Sequence, residues 1–197
     1  MATASSRREI LAASAALAGG GGAALLASCG GDSGGRRTDT ISDAQREADA
    51  ALVATLVDLE AGAVAAYASI APRLRGQALA VARRFEAHER AHLAALRRAT
   101  AALGKRPGPP KPAAVYRAAF PPLRDARAAL RFALDVEETA IAAYGDALGK
   151  IATDSLRVRL ATILATESEH AAVLLGRLDR PQVPDAFVTG PPPERES

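Results

Sequence analysis

The chain has 197 residues, of which 49% are hydrophobic and 24% charged. This composition is typical of a globular domain and excludes disorder throughout. The single Cys excludes an intramolecular disulfide framework, a Cys-ligated zinc module and an iron–sulfur cluster. The formal net charge of +3 gives little support to nucleic-acid binding.

The first predicted element is an export signal at residues 1–28. Arg7 and Arg8 precede an uncharged, Ala- and Gly-rich run at residues 10–28. A basic start followed by a short apolar run is typical of a signal peptide, and the paired arginines resemble the twin-arginine signal of bacteria. Two alternatives stay open, a transmembrane anchor and an ordinary cleaved signal.

Cys29 is the predicted site of lipid attachment. It ends the segment Leu26-Ala27-Ser28-Cys29, which resembles a bacterial lipobox, and cleavage before it would leave a lipidated first residue. Residues 29–40 are rich in Gly, Ser and Asp, which indicates a flexible tether. We therefore expect an exported protein that is anchored by its lipid to the outer face of the bacterial cytoplasmic membrane.

Prolines divide the following chain into predicted helices. They leave three proline-free stretches rich in helix formers, and the third stretch is broken near Gly145, Gly149 and Asp154. The four predicted helices cover residues 41–71, 74–103, 123–148 and 153–178. Their short, long, short connections predict an all-α, four-helix bundle with one long crossover between helices two and three. The predicted domain spans 41–180, and a Pro-rich tail follows at 181–197.

The two helical hairpins repeat one another. Residues 59–67 in the first helix align with residues 136–144 in the third, and the Glu-x-x-His motif at 89–92 aligns with a second one at 167–170. Residues three apart lie on one face of a helix, so each motif directs its Glu and His to the same side.

Six side chains of this repeat are predicted metal ligands: Glu60, Glu89, His92, Glu137, Glu167 and His170. The two glutamates of each hairpin are equally distant from their predicted turn, which puts all four near one height of the bundle. Apolar residues at helical spacing flank them, so the carboxylates lie in the apolar stripe. The alternative is that these Glu and His residues form surface pairs on polar faces.

Four glutamates in one core cannot all stay ionised unless cations compensate their charge. Two divalent cations would cancel the four carboxylates and leave neutral imidazoles to complete the ligand sets. Oxygen and imidazole ligands without a thiolate suit iron or manganese, and zinc remains an alternative.

This pattern over residues 41–178 resembles the ferritin-like di-iron carboxylate superfamily. The resemblance implies a ferritin-like bundle whose two metal ions, iron in the first place, react with dioxygen or peroxide, with Glu89 and Glu167 best placed to bridge them. Tyr67 and Tyr144, each seven residues after a ligand, resemble tyrosines near the metals of rubrerythrin- and bacterioferritin-like members. Each phenol would hydrogen-bond a ligand or relay an electron, and filling the core is an equal alternative.

Other features set limits on this resemblance. There is no Cys pair for a rubredoxin-like module, and the only Met is Met1, so a complete rubrerythrin and a methionine-ligated haem are excluded. His88, whose counterpart in the repeat is Thr166, is expected to face solvent or to support a ligand, with a metal pair with His92 as the alternative. Asp58 is assigned to a polar helix face.

The expected function is oxidation of Fe(II), or reduction of dioxygen or peroxide, at the cell envelope. One alternative is a metal-free or structurally metallated bundle that acts as an envelope interaction module. Another is a di-manganese catalase-like site with the same ligand types. The expected partners are metal ions, dioxygen or peroxide, and the membrane through Cys29; a homodimer stays open.

Overall fold

A computed structural model describes residues 41–183 of the chain. Within this range every regular element is helical and no strand occurs. The predicted signal at 1–28, the lipidation site Cys29, the tether at 29–40 and the tail from residue 184 onward lie outside the described residues.

Five α-helices and one short 3-10 helix make up the described fold. The α-helices are α1 (Asp43–Ile70), α2 (Gly76–Ala102), α3 (Ala113–Arg117), α4 (Ala126–Leu148) and α5 (Asp154–Arg177), and the 3-10 helix Ala71–Arg73 follows α1. The predicted bundle of four long helices with one long crossover is confirmed, and each long helix begins and ends within three residues of its predicted bounds. The short helix α3 within the crossover is not predicted by the sequence pattern.

Polar side chains hold the backbone at the start of α1 and just before the start of α5. Ser42 and Gln45 form a capping box at the start of α1, in which the Ser42 hydroxyl accepts from the Gln45 amide at 3.2 Å and the Gln45 side chain accepts from the Ser42 amide at 2.9 Å. At the start of α5, the Asp49 carboxylate of α1 accepts from the backbone amides of Ala152 and Thr153, both at 2.9 Å. Asp49 thereby ties α1 to the turn between α4 and α5.

The crossover is attached to α1 through Asp58. Its carboxylate accepts hydrogen bonds from the Tyr116 hydroxyl and from the Lys111 ammonium, both at 2.7 Å. The Tyr116 ring covers Gly62, where a Cβ would lie 3.4 Å from the ring. Asp58 therefore lies on the polar face that was predicted for it, and it holds the crossover against the helix that carries Glu60.

Two apolar clusters fill the bundle interior. One includes Tyr67, Ile70, Leu74, Phe85, Leu134 and Leu174; the other includes Val53, Leu56, Leu96, Tyr144, Leu160 and Ile163. Burial of a large apolar side chain stabilises a fold by about 1.5–3 kcal/mol, and these clusters offset the cost of the charged groups in the same interior.

The segment Asp43–Arg73, which holds α1, is long and apolar enough to cross a membrane by length and composition alone. Half of its most apolar window is buried inside the bundle, however. The buried face also carries Asp49 and Glu60, each 1% exposed. We therefore interpret α1 as the core helix of the bundle.

Candidate metal centre

All six predicted ligands meet in the middle of the bundle. The four glutamates are at most 1% exposed, and His170 is 2% exposed. His92 is the most accessible of the six, because 12% of its side chain remains exposed. This burial excludes the alternative that the Glu and His residues form surface pairs.

The six side chains form two overlapping groups of four. The first group is Glu60, Glu89, His92 and Glu167, and the second is Glu89, Glu137, Glu167 and His170. In each group the candidate ligand atoms all lie within 4.8 Å of one another. Glu89 and Glu167 belong to both groups, so their carboxylates lie where they can bridge two ions.

Distances from the two imidazoles match the size of a metal site. Nδ1 of His170 lies 3.3 Å from a Glu89 oxygen, 3.3 Å from a Glu137 oxygen and 3.4 Å from a Glu167 oxygen. Nδ1 of His92 lies 2.9 Å from a Glu167 oxygen and 3.6 Å from a Glu89 oxygen. Nδ1 of His92 also lies 3.8 Å from a Glu60 oxygen. An ion bonded to N and O at about 2.0–2.2 Å holds neighbouring ligand atoms about 3–3.5 Å apart. The His170 group has this spacing, and the His92 group is wider by a few tenths of an ångström at Glu89 and Glu60.

Several polar atoms at this centre are buried without any hydrogen-bond partner. They are Oε2 of Glu60, Oε1 of Glu89, Nδ1 of His92 and both carboxylate oxygens of Glu167. The contact between His92 and Glu167, although short, is not aligned as a hydrogen bond. A buried polar atom without a partner lowers the free energy of unfolding by about 1–3 kcal/mol, and by more if it is charged. Because these atoms converge on one region, bound metal ions would supply the partners that they lack.

Without a cation, the four carboxyl groups divide into two pairs. Burial, together with the charges of Glu89 and Glu167, raises the pKa of Glu60 well above its ordinary value. Burial likewise raises the pKa of Glu137 well above its ordinary value. Burial also acts on Glu167, but the neighbouring imidazoles outweigh it and lower the pKa to about 2. The same imidazoles lower the pKa of Glu89.

The two imidazoles carry the matching positive charge. Burial lowers the pKa of His92, but the carboxylates of Glu167 and Glu89 outweigh it and raise that pKa to about 9. For His170, burial is outweighed by three carboxylates, and its pKa rises to about 11. Protons therefore compensate charge in the metal-free centre, and metal ions would have to displace them.

Tyr67 and Tyr144 form two crossed hydrogen bonds. The Tyr67 hydroxyl of α1 donates to Oε1 of Glu137 on α4, and the Tyr144 hydroxyl of α4 donates to Oε1 of Glu60 on α1. Burial raises the pKa of both phenols, so each remains a protonated donor. Hydrogen bonding to a predicted ligand is therefore what the geometry shows for both tyrosines, whereas an electron relay stays a prediction.

His88 supports His170 and does not pair with His92. Nδ1 of His88 lies 2.9 Å from Nε2 of His170, and the two rings lie edge to edge and nearly parallel, with centroids 5.1 Å apart. The Phe85 ring stacks directly on His170 at 3.8 Å. The sequence could suggest a supporting role for His88, but the stacking of Phe85 depends on the rotation of α2, which no local pattern reports.

Comparison with known proteins adds one finding. The model of a family described as a ferritin-like domain matches residues 48–179, a range that contains all six predicted ligands. A search of curated proteins finds no match.

Proposed function

The chain belongs to the ferritin-like domain family, and from this premise we propose that it binds two iron ions and oxidises Fe(II) with dioxygen or peroxide. The observation that carries the proposal is the pair of overlapping ligand groups that share Glu89 and Glu167. Their buried atoms without partners are a further support, because a bundle with no metal would leave that polarity unsatisfied.

Each ion would have its own imidazole and terminal carboxylate. Glu60 and His92 would hold one ion, Glu137 and His170 would hold the other, and the shared glutamates would lie between them. Iron bound there supplies one-electron redox chemistry and an open coordination position. The residues of the chain supply fixed geometry, charge balance and apolar surroundings.

The reaction balances with iron as the substrate. Two Fe(II) give up two electrons and become two Fe(III). With the uptake of two protons, those electrons reduce dioxygen to hydrogen peroxide, or hydrogen peroxide to two waters. The protein needs no other reductant for this single turnover.

The surroundings of the ligands suit this role. Apolar clusters lie along the helices on both sides of the four carboxylates and limit access of bulk water to them, except at His92, where 12% of the side chain is exposed. Tyr67 and Tyr144 hold the outer carboxylates Glu137 and Glu60 by hydrogen bonds. A ligating carboxylate whose second oxygen accepts a hydrogen bond keeps one orientation, which preserves the ligand geometry when the charge of the ion changes.

We propose that this domain works at the cell envelope, where an export signal at 1–28, a lipid at Cys29 and a tether at 29–40 would deliver it. The support is the sequence alone, through the paired arginines and the lipobox-like segment that ends in Cys29. Mass spectrometry of the native protein tests this: acylated Cys29 at a new amino terminus is expected, and an unprocessed Met1 would contradict it.

The experiment that tests the function uses the full-length protein. It is given two equivalents of Fe(II) without oxygen and then exposed to dioxygen or peroxide. Ferric absorbance is expected to appear, and Glu89→Ala and Glu167→Ala are expected to abolish it. Glu169→Ala is the matched control, because Glu169 lies in the same motif as Glu167 but is exposed.

Each other outcome of this experiment identifies an alternative. Tight binding of Mn(II) with rapid peroxide disproportionation, and no iron oxidation, would favour the di-manganese catalase-like site. A folded protein that takes up no metal would favour the envelope interaction module.

A further inference from the structure

The repeat of the two hairpins is broken beside the two histidine ligands. His88 on α2 and Thr166 on α5 occupy equivalent positions, 78 residues apart. His88 lies 2.9 Å from the ring of His170, whereas the Thr166 hydroxyl donates to the Thr162 carbonyl of its own helix at 3.3 Å. The equivalent of the His88 contact is therefore missing at His92.

The same inequality appears one helical turn earlier. Phe85 stacks on the ring of His170 at 3.8 Å, and its equivalent on α5 is the aliphatic Ile163. Within residues 41–183, no aromatic ring stacks on His92. The imidazole of His170 is thus held by both His88 and Phe85, whereas the imidazole of His92 has no equivalent of either contact.

At His170 the result is a fixed and covered ligand. Nε2 of His170 lies 2.9 Å from Nδ1 of His88, and Nδ1 of His170 faces the carboxylates. With Nδ1 as the ligand atom, Nε2 carries the ring proton and is the donor to His88. Only 3% of the His170 side chain is exposed. A histidine whose distal N–H is held in this way keeps its ring orientation and binds metal more tightly.

At His92 the bundle opens to the surface. A groove of about 340 Å³ lies between α2 and α5 and reaches the His92 side chain. Its other lining residues include Ala95, Ser155, Arg159, Thr162, Ile163 and Thr166. This volume admits several water molecules, hydrated ions or a small oxidant such as peroxide.

We propose that the two metal positions are unequal. The position of Glu60 and His92 exchanges its ion and admits small reactants through this groove. The position of Glu137 and His170 retains its ion, because His88 and Phe85 hold the ring of His170. The proposal rests on the proposed function in one respect, that the centre holds two ions. It assigns His88 as a positioning residue that acts through His170.

The rate of metal release tests the inequality of the two positions and does not depend on Fe(II) oxidation. The full-length protein is loaded with two equivalents of Co(II), mixed with excess EDTA, and followed by the visible absorbance of bound cobalt. Two release phases of equal amplitude are expected, and their rates should differ by about tenfold or more, since loss of a supporting contact weakens metal binding about 10- to 100-fold.

Exchange of the two equivalent residues gives matched variants. His88→Thr is expected to accelerate the slow phase about tenfold and leave the fast phase unchanged. Thr166→His, which adds the missing support and narrows the groove, is expected to slow the fast phase. His88→Gln, whose side-chain oxygen can accept from Nε2–H of His170, should restore much of the slow phase; thermal unfolding of each variant shows that it remains folded.

The outcomes separate this proposal from the function on which it rests. Two bound cobalt ions that leave at one rate, or a His88→Thr variant in which both phases change equally, would overturn the inequality and leave the two-metal site intact. A folded protein that binds no cobalt would contradict the metal site, and the inequality with it.

Discussion

The Tyr67 hydroxyl donates its hydrogen bond to Glu137, 70 residues further along the chain. Tyr144 donates in the opposite sense to Glu60, 84 residues earlier. Each tyrosine therefore holds the carboxylate of the helix opposite its own. The pair joins α1 to α4 at the level of the candidate metal centre.

We predict that Tyr67→Phe and Tyr144→Phe each weaken metal binding by about tenfold or more, because the freed carboxylate loses its fixed orientation. Removal of the hydroxyl also leaves a buried carboxyl oxygen unsatisfied, which should lower the free energy of unfolding of the metal-free protein by about 1–3 kcal/mol. Co(II) titration and denaturant unfolding measure the two effects.

Tyr116→Phe is the control for the tyrosine variants. Tyr116 also donates to a carboxylate, but that carboxylate is the partly exposed Asp58 on the outer face of α1. Loss of the Tyr116 hydroxyl should leave the affinity for cobalt unchanged. Equal loss of affinity in all three variants would contradict a specific role for the two buried phenols.

Metal uptake is predicted to release at least two and up to about four protons for two divalent ions near pH 7. The pKa values of His92 and His170, raised to about 9 and about 11, keep both imidazoles protonated at pH 7. The raised pKa values of Glu60 and Glu137 favour protons on these two carboxyl groups as well. Each must lose its proton to act as a ligand. Calorimetric titration in buffers of different ionisation enthalpy measures this number, and uptake without proton release would show that the centre is not neutralised by protons.

The stability of the metal-free protein is predicted to fall as pH rises. The pKa of His92 is raised from 6.5 to about 9 and that of His170 from 6.5 to about 11, so their stabilisation is complete below pH 6.5 and is lost as pH rises through 9 and 11. The raised pKa values of Glu60 and Glu137 act in the same direction.

Thermal unfolding between pH 6.5 and pH 10 measures this dependence. The metal-free protein should lose melting temperature across the range, and the metal-loaded protein should lose much less, because its imidazoles are already deprotonated. A melting temperature of the metal-free protein that is constant or rises would contradict the assigned protonation states.

Glu60→Gln is predicted to separate stability from metal binding. The pKa of Glu60 is raised well above its ordinary value, which favours the neutral carboxyl group in the metal-free centre, and an amide of similar shape preserves that neutral form. The metal-free variant should therefore unfold at a temperature equal to or above that of the parent. Its cobalt stoichiometry should fall from two ions to one.

Glu138→Gln is the control for this substitution. Glu138 follows Glu137 directly, but it is only half-buried and belongs to neither ligand group. The Glu138→Gln variant should bind both cobalt ions. If Glu60→Gln also kept two ions with unchanged affinity, Glu60 would not be a ligand.

The sequence predicts the fold and the meeting of six ligands because both follow from local periodicity. Proline positions limit the long helices, and the spacing of Glu89 and His92 puts both on one helix face. The two glutamates of each hairpin are equally distant from their turn, which places all four carboxylates at about the same position along the bundle axis. Neither helix length nor the height of the carboxylates depends on how the helices rotate against one another.

Contacts that depend on helix rotation could not be predicted in this way. The crossed partners of Tyr67 and Tyr144, and the contact from His88 to His170, join residues that are 70 or more positions apart. Asp49 looks like any polar residue of α1, although its carboxylate holds the turn before α5. Such contacts are set by tertiary packing, which leaves no periodic signal in the sequence.

The most direct test of the two-metal centre is an anomalous difference map from crystals of the protein grown with Fe(II) or Mn(II) and measured at the absorption edge of that metal. We predict two peaks inside the bundle, one beside Glu60 and His92 and one beside Glu137 and His170, with Glu89 and Glu167 in contact with both. Peaks only on the protein surface, or an interior without any peak in the presence of excess metal, would contradict the account.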